Sequence, residues 1–434
     1  MKRRDFLRLA GTAGLATALP GLAMRPAFAD TPTEPQAEPF GGLALITIFA
    51  GGGWDHSSFA DPRENVAINH WAANAPAGTA GNLRYAPIAE NQAFFERYHD
   101  RLLVINGIDL QTNGHGSADM AQHTGALSGL PNLNALYAAN VGAGLPMPWL
   151  YYSGNDTRLG LVPPTAVPDH ERLLGLADPN RRDGSRRYFR ASDMDLIEQA
   201  RRARLLARMG RVDDLPFTQR KVEELYRART DRGLLERLAD VVPESLDAVD
   251  LAGDGHNRVS AVHRFLIAIQ AGLCVTANLR TGHNYDSHGN HDANHETGAR
   301  HLTRLLDYLW TKAEVLGISD RLVVHVTSDV GRTPWYNGSN GKDHWSNGSA
   351  WIMMANQPWT DRSVGLSGPA HEKLDIDPVT LQPSATGERL RTAHVQVALR
   401  RILGIDQTPL AGQFPLDVPE IDLLNPAYQS GVAV

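Results

Sequence analysis

Leu322-Val323-Val324-His325-Val326-Thr327 runs directly into Ser328-Asp329-Val330-Gly331-Arg332. The first six residues, rich in valine and almost wholly apolar, read as a strand buried on both faces, since a strand with one wet face alternates polar and apolar side chains. The glycine-bearing polar turn that follows ends the strand and presents Asp329 at its carboxyl end. The same event recurs along the chain. Leu43-Ala44-Leu45-Ile46-Thr47-Ile48-Phe49 enters Gly51-Gly52-Gly53-Trp54-Asp55, and Leu102-Leu103-Val104-Ile105 leads to Asn113-Gly114-His115-Gly116-Ser117. Leu273-Cys274-Val275-Thr276-Ala277-Asn278-Leu279 precedes His283-Asn284-Tyr285-Asp286-Ser287-His288-Gly289-Asn290-His291-Asp292. Continuous apolar runs separated by helical stretches predict an α/β fold of three layers, α/β/α, around a mostly parallel sheet. In such folds, polar groups gather beyond the carboxyl ends of the strands.

The intervening segments carry helical spacing. Ser192 or Asp193 can cap a helix that ends at Met209 before Gly210, and residues 259–271, 300–315 and 389–403 place apolar side chains at helical intervals. Residues 181–245 interleave many arginines, among them Arg181, Arg186, Arg190, Arg201 and Arg208, with acids. That pattern predicts a solvated helical insertion, with a lid that attracts anions as the alternative. Residues 41–434 are expected to form one domain around this insertion, preceded by a linker at 30–40 rich in Pro, Glu and Thr.

Lys2-Arg3-Arg4-Asp5-Phe6-Leu7, an uncharged run over 9–24 and Ala27-Phe28-Ala29 together read as a twin-arginine export signal over residues 1–29. The run is shorter than the ~18 to 20 apolar residues of a membrane span, and Gly11, Gly14, Pro20 and Gly21 interrupt it. The mature chain is therefore expected in the periplasm or outside the cell, with the twin-arginine machinery as a partner and no stable membrane insertion. Cleavage removes Lys2, Arg3, Arg4, Arg8, Arg25 and Asp5, moving the formal charge from -6 to -10. So acidic a chain argues against nucleic-acid binding. The single cysteine, Cys274, excludes an intrachain disulfide and a thiolate-rich metal cage.

Histidines number 17, so some clustering arises by chance. His123, His295 and His301 fall on expected helices and read as structural. Asp286 and His288 share a single loop, and Asp55, Asp329 and His344 each follow an expected strand. Carboxylates and imidazoles gathered in this way are the donors of a divalent metal centre. Zinc heads the candidates, with manganese, iron or calcium as alternatives. Asp343 reads as an acceptor that fixes His344 or its loop.

The order of these blocks carries a resemblance. A strand followed by Gly-Gly-x-Asp, Ser117-Ala118-Asp119-Met120-Ala121-Gln122, Tyr285-Asp286-Ser287-His288, Ser328-Asp329-Val330-Gly331-Arg332-Thr333-Pro334 and Lys342-Asp343-His344-Trp345 together resemble a twin-arginine-exported bacterial family, domain of unknown function 1501. That family lies within the alkaline-phosphatase-like superfamily. The resemblance covers residues 42 to about 410 and departs from the family at Asp329, where glutamate is common. It implies an alkaline-phosphatase-like fold and two divalent ions. Asp55 would hold one ion; Asp286, His288 and His344 would hold the other, with Asp329 completing or bridging the pair. It also implies Ser117 as a hydroxyl nucleophile and Arg332 as a clamp on a phosphoryl oxygen, with His115 contacting substrate or donating a proton. Thr112 is a second candidate nucleophile, and His291 a second candidate for the place of His288. The function implied is an exported metal-dependent hydrolase of phosphate mono- or diesters, acting on a small-molecule or polymer ester. The alternatives are a sulfuric-ester hydrolase without formylglycine and a non-catalytic metal- or ligand-binding protein that keeps the ligands but has no hydroxyl facing the metal.

Overall fold

The computed structural model describes residues 38–183, 186–211, 215, 217–219, 222, 232–247 and 255–426. The expected export signal at 1–29 and the linker up to residue 37 lie outside the described residues, as do parts of the expected insertion. All described residues belong to the unit Ala37–Val434.

The expected strands form. They are β1 (Ala44–Phe49), β2 (Leu102–Asp109), β4 (Thr276–Arg280) and β5 (Leu322–Thr327), joined by β3 (Trp149–Tyr151), β6 (Asn347–Met353) and β7 (Arg362–Val364). Their order across the sheet is β7-β2-β6-β5-β1-β4-β3. β1 pairs parallel to both β4 and β5, while β6 runs antiparallel to β5 and β2. Alternate side chains of β1 enter separate cores, with Ala44, Ile46 and Ile48 on one face and Leu45 on the other. This two-sided burial is why β1 and β5 read as continuous apolar runs.

Helices cover both faces. On the first lie α1 (Asn91–Tyr98), α4 (His170–Ala177), α6 (Arg232–Val241), α7 (Gly255–Gln270) and α8 (His291–Val315), contributing Phe95, Leu173, Leu238, Phe265 and Trp310 to that core. The second face is covered by α3 (Leu133–Val141) and α9 (Thr392–Ile402) through Leu136, Tyr137, Val395 and Leu399. α2 (His115–Thr124) joins α9 where Gln396 Nε2 donates to the Gln122 carbonyl at 2.7 Å. Each fully buried Leu or Phe contributes roughly 1.5–3 kcal/mol. The architecture is thus α/β/α around a mostly parallel sheet, as expected.

Four features differ. The helix that ends at Met209 begins at Ala191 with Arg190 at its N-cap, so Ser192 and Asp193, expected as caps, lie within its first turn. β6 has no counterpart in the sequence reading, because it runs from the functional edge inwards and opens on Asn347-Gly348-Ser349. α8 starts at His291 instead of residue 300, since its polar first turns hide the helical period although His291 and His295 are buried. Arg389 pairs in a short ribbon with Asp375, and α9 begins only at Thr392, where His394 Nδ1 accepts from the Arg391 amide at 3.0 Å. Over 181–245 the described part includes a small hairpin, α5 (Ala191–Met209) and α6, edged by exposed pairs such as Arg201–Glu198 at 2.8 Å. Such pairs contribute about 0–1 kcal/mol each. No helix among the described residues is long and apolar enough to cross a membrane.

Candidate metal centre

Three turns meet at the carboxyl edge of β1, β4 and β5. Gly52, just after β1, has φ +105°, and a Cβ there would lie 2.2 Å from Asn284 Oδ1 and 2.6 Å from the Asp286 amide, so only glycine lets the turns approach this closely. Its amide donates to both carboxylate oxygens of Asp329, at 3.1 and 3.2 Å. Arg332 is completely buried and ties the turns together. Its Nε donates to the Gly53 carbonyl at 2.8 Å and Nη1 to the Lys342 carbonyl at 2.9 Å, while Nη2 reaches the Gly52 carbonyl and Asp286 Oδ1 at 2.7 Å. Partial burial pushes the Asp286 pKa up, but the Arg332 guanidinium more than offsets this and holds it below the usual carboxylate range.

Asp286 faces two imidazoles. His288 Nε2 lies 3.1 Å from Asp286 Oδ1, His344 Nε2 lies 3.5 Å from the same oxygen, and the two Nε2 atoms are 3.1 Å apart. The far side of each ring is occupied by an acceptor: Asp343 Oδ1 is 2.8 Å from His288 Nδ1, and the Asn113 carbonyl is 2.9 Å from His344 Nδ1. Each Nδ1 therefore carries the proton, an assignment made from the partners. With that tautomer both Nε2 atoms point at one another and at a carboxylate oxygen, a set of donors that a cation between them would satisfy. Zinc–nitrogen bonds of ~2.0–2.1 Å in a tetrahedron imply ligand–ligand edges of about 3.3–3.4 Å. The triangle found here fits a small divalent ion.

His115, the first residue of α2, borders the cluster. One donor atom each from His115, Asp286 and His344 lie within 4.8 Å of one another. His115 Nδ1 is 2.7 Å from Asp329 Oδ2, and Nε2 is 3.7 Å from Asp286 Oδ2. The hydrogen bond to Asp329 raises the His115 pKa, against the effect of burial. Beside it opens a cleft of about 290 Å³ lined by Gly52, His115, Asp119, Arg280, Asp286 and Asp329 with their neighbours.

The fold thus brings together Asp286, His288, Asp329, His344 and His115. Asp55 is turned elsewhere. Completely buried, it takes Lys342 Nζ at 2.5 Å, the Ser57 amide at 2.9 Å and Ser57 Oγ at 2.6 Å, with His291 Nε2 3.1 Å away. Burial opposes its charge, but Lys342 and then His291 hold its pKa well below the usual range. His291, whose Nδ1 meets Ser287 Oγ at 2.8 Å, keeps company with Asp55, so His288 occupies the position beside Asp286. Ser117 Oγ bonds Thr112 Oγ1 at 2.7 Å and the Gly114 carbonyl at 3.0 Å, so each candidate hydroxyl is engaged with the start of α2. Arg332, expected as a substrate clamp, has its donors committed to the turns because it is buried beneath them. The exposed guanidinium on the cleft is Arg280, 3.2 Å from Asp119 Oδ2. The expected structural histidines include His295, whose Nε2 accepts from the Asp55 amide at 2.8 Å, and His123, paired with Asp119 at 2.8 Å. Asp343 fixes His288 instead of His344. Lys342 and Arg280 escaped the sequence reading as site residues; the only signal for Lys342 was its place beside Asp343-His344.

A family model described as "Protein of unknown function (DUF1501)" matches residues 43–355. No curated protein matches the chain. Among solved structures, the alkaline phosphatase of the Antarctic bacterium TAB5 is similar over 73% of this chain and 92% of its own, with 9% identity and a TM-score of 0.30. The lipoteichoic acid synthase LtaP of Listeria monocytogenes is similar over 81% and 74%, with 10% identity and a TM-score of 0.31. A 2-O GAG sulfatase is similar over 84% and 71%, with 8% identity and a TM-score of 0.32. Likeness of this size leaves the function to be read from the site itself.

Proposed function

The chain belongs to the DUF1501 family of proteins of unknown function, and from that premise we propose that it is an exported, metal-dependent hydrolase of phosphate mono- or diesters. The observation that carries this reading is the triangle of Asp286 Oδ1, His288 Nε2 and His344 Nε2, whose edges are 3.1, 3.1 and 3.5 Å with both Nδ1 atoms already partnered. Asp286, His288 and His344 would hold the ion, with His115 beside it as a proton donor and not a ligand. When bound, a divalent ion supplies Lewis-acid polarisation of a phosphoryl oxygen and a lowered pKa for an attacking water. Arg280 offers a cation to the ester's remaining charged oxygens from the cleft wall. His115, held by Asp329, carries a proton at Nε2 towards the cleft. As water adds to phosphorus and the ester P–O bond breaks, that proton passes to the leaving oxygen, and the proton lost by water restores His115. The expected signal at 1–29 would carry this chemistry outside the cytoplasm.

One observation favours a second reading, an exported metal-binding protein without turnover: Ser117 and Thr112 spend their hydroxyls on each other and on the start of α2. A single experiment separates the two readings. The purified mature protein is assayed for metal content and for hydrolysis of p-nitrophenyl phosphate, bis-p-nitrophenyl phosphate and p-nitrophenyl sulfate, with and without chelator. Chelator-sensitive turnover of a phosphate ester supports the hydrolase, and preference for the sulfate reassigns the ester class. Bound metal without turnover of any probe selects the binding protein. Absence of metal sinks both.

A further inference from the structure

A second group of donors lies in the interior. His56 follows Asp55 in the 3-10 turn His56–Ser58, Asp61 ends the same loop, and His371 sits in the turn at 368–371 beyond β7. All three are buried, with exposures of 1%, 4% and 0%. One donor atom from each lies within 4.8 Å of the others. The imidazoles stack with centroids 4.7 Å apart, and His56 Nε2 is 3.6 Å from Asp61 Oδ2. None of the four ring nitrogens of His56 and His371 has a hydrogen-bond partner. Buried polar atoms are almost always partnered, so two buried imidazoles without a partner, each with one nitrogen close to the same carboxylate, call for an occupant.

The backbone holds this arrangement at a cost. His371 has φ +56°, a conformation that non-glycine residues rarely adopt. It is kept there by its amide bond to the Gly368 carbonyl at 2.9 Å and by its own carbonyl, which accepts from Trp345 Nε1 and Asn347 Nδ2, each at 2.9 Å. Strain that neighbouring contacts over-determine is characteristic of ligand sites. Asp61 gives Oδ1 to Arg63 at 2.9 Å, while Oδ2 receives Ser367 Oγ and faces His56. Arg63 balances part of the Asp61 charge and leaves a donor set of two imidazoles and one carboxylate oxygen.

We propose that His56, Asp61 and His371 form a second, buried site for a zinc-class divalent ion, structural in role, which joins the loop after β1 to the loop after β7. Two nitrogens and one oxygen suit zinc and its neighbours, whereas calcium takes six to eight oxygens. The site shares no residue with the open cluster and stands whether or not that cluster is catalytic. Such an ion closes a loop that spans most of the chain and sits directly behind Asp55.

The probe is zinc itself. Mature protein carrying His288→Ala and His344→Ala, which removes two imidazoles of the open cluster, is unfolded and refolded with zinc, dialysed against chelator and analysed for bound metal. About one slowly exchanging equivalent, lost on adding His371→Asn or His56→Gln, is the expected result. The metal should also raise the thermal midpoint of the parent and leave that of the further variants unmoved. No zinc in the parent, or full retention after His371→Asn, overturns the proposal. If those further variants fail to fold, X-ray absorption at the zinc edge of the parent decides: two imidazoles in the coordination shell support the site, and fewer overturn it.

Discussion

Replacing Lys342 with Met tests whether Asp55 is half of an interior ion pair or a metal ligand. Both side chains are 0% exposed, and Lys342 Nζ lies 2.5 Å from Asp55 Oδ2. Removing one partner of a buried pair costs ~3–5 kcal/mol, because the other charge is left uncompensated. Asp55 would keep the Ser57 amide at 2.9 Å and Ser57 Oγ at 2.6 Å, and His291, 3.1 Å away, can take up a proton in place of the lost cation. These compensations put the expected loss near the low end, about 3 kcal/mol, or roughly a 150-fold shift in the unfolding equilibrium. The assay is urea unfolding followed by tryptophan fluorescence, with metal content measured on the same samples. Lys342→Met should be destabilised with its metal content unchanged, and Asp55→Asn in the same background should recover about 2 kcal/mol, the coupling expected of residues in contact. A loss below about 1 kcal/mol, or Asp55→Asn stripping the metal with stability intact, would refute the ion-pair argument and return Asp55 to the ligands.

Asp343→Ala should weaken zinc binding about 10-fold, the lower end for an acceptor behind a histidine ligand because Asp343 is half exposed, and Asp343→Asn should weaken it less since an acceptor oxygen survives. Competition with a chromophoric chelator reads both, and equal affinity for all three proteins counts against the assigned His288 proton. Arg280→Gln should raise KM for a phosphate ester about 10- to 100-fold with little change in kcat, as befits a charge-assisted contact made before the chemistry; steady-state kinetics decides, and an unchanged KM removes Arg280 from the cleft's binding role. His325, in the middle of β5, has its pKa pushed down to about 3 by burial and then by His123. Between about pH 6.5 and 3 the unfolded chain binds this proton and the native protein does not, so stability falls by ~1.4 kcal/mol per unit as pH drops through that window. His325→Val should flatten the urea-derived stability profile by up to that slope between pH 6 and 4, and an identical slope in both proteins would contradict the burial argument.

Much of the site was legible because Asp286, Asp329 and His115 lie on turns beyond buried strands, and buried strands announce themselves by unbroken apolar runs. β6 did not, since its glycine and serine opening looks like loop and only the finished sheet shows that Trp351 and Ile352 are core. Asp55 and Arg332 were visible as important but not as buried: their partners Lys342, Gly52 and Asp286 are distant in sequence, and no local spacing records such pairings. The engagement of Ser117 with Thr112 is likewise a matter of turn geometry, which residue types alone leave open. The His56, Asp61 and His371 group was invisible for the same reason, being assembled from loops far apart in the sequence.

The bonds of Arg332 to main-chain carbonyls bear on selection by ion size. Because the guanidinium grips the Gly52, Gly53 and Lys342 carbonyls as well as Asp286, the carboxylate is referenced to the backbone of two turns and cannot swing outward on its own. With Asp286 held in this way, any widening of the triangle, whose edges are 3.1 to 3.5 Å, falls to the His288 and His344 imidazoles. In the proposed metal site, a fixed Asp286 would favour a small ion over calcium, and loosening position 332 should broaden the range of ions accepted before it abolishes binding.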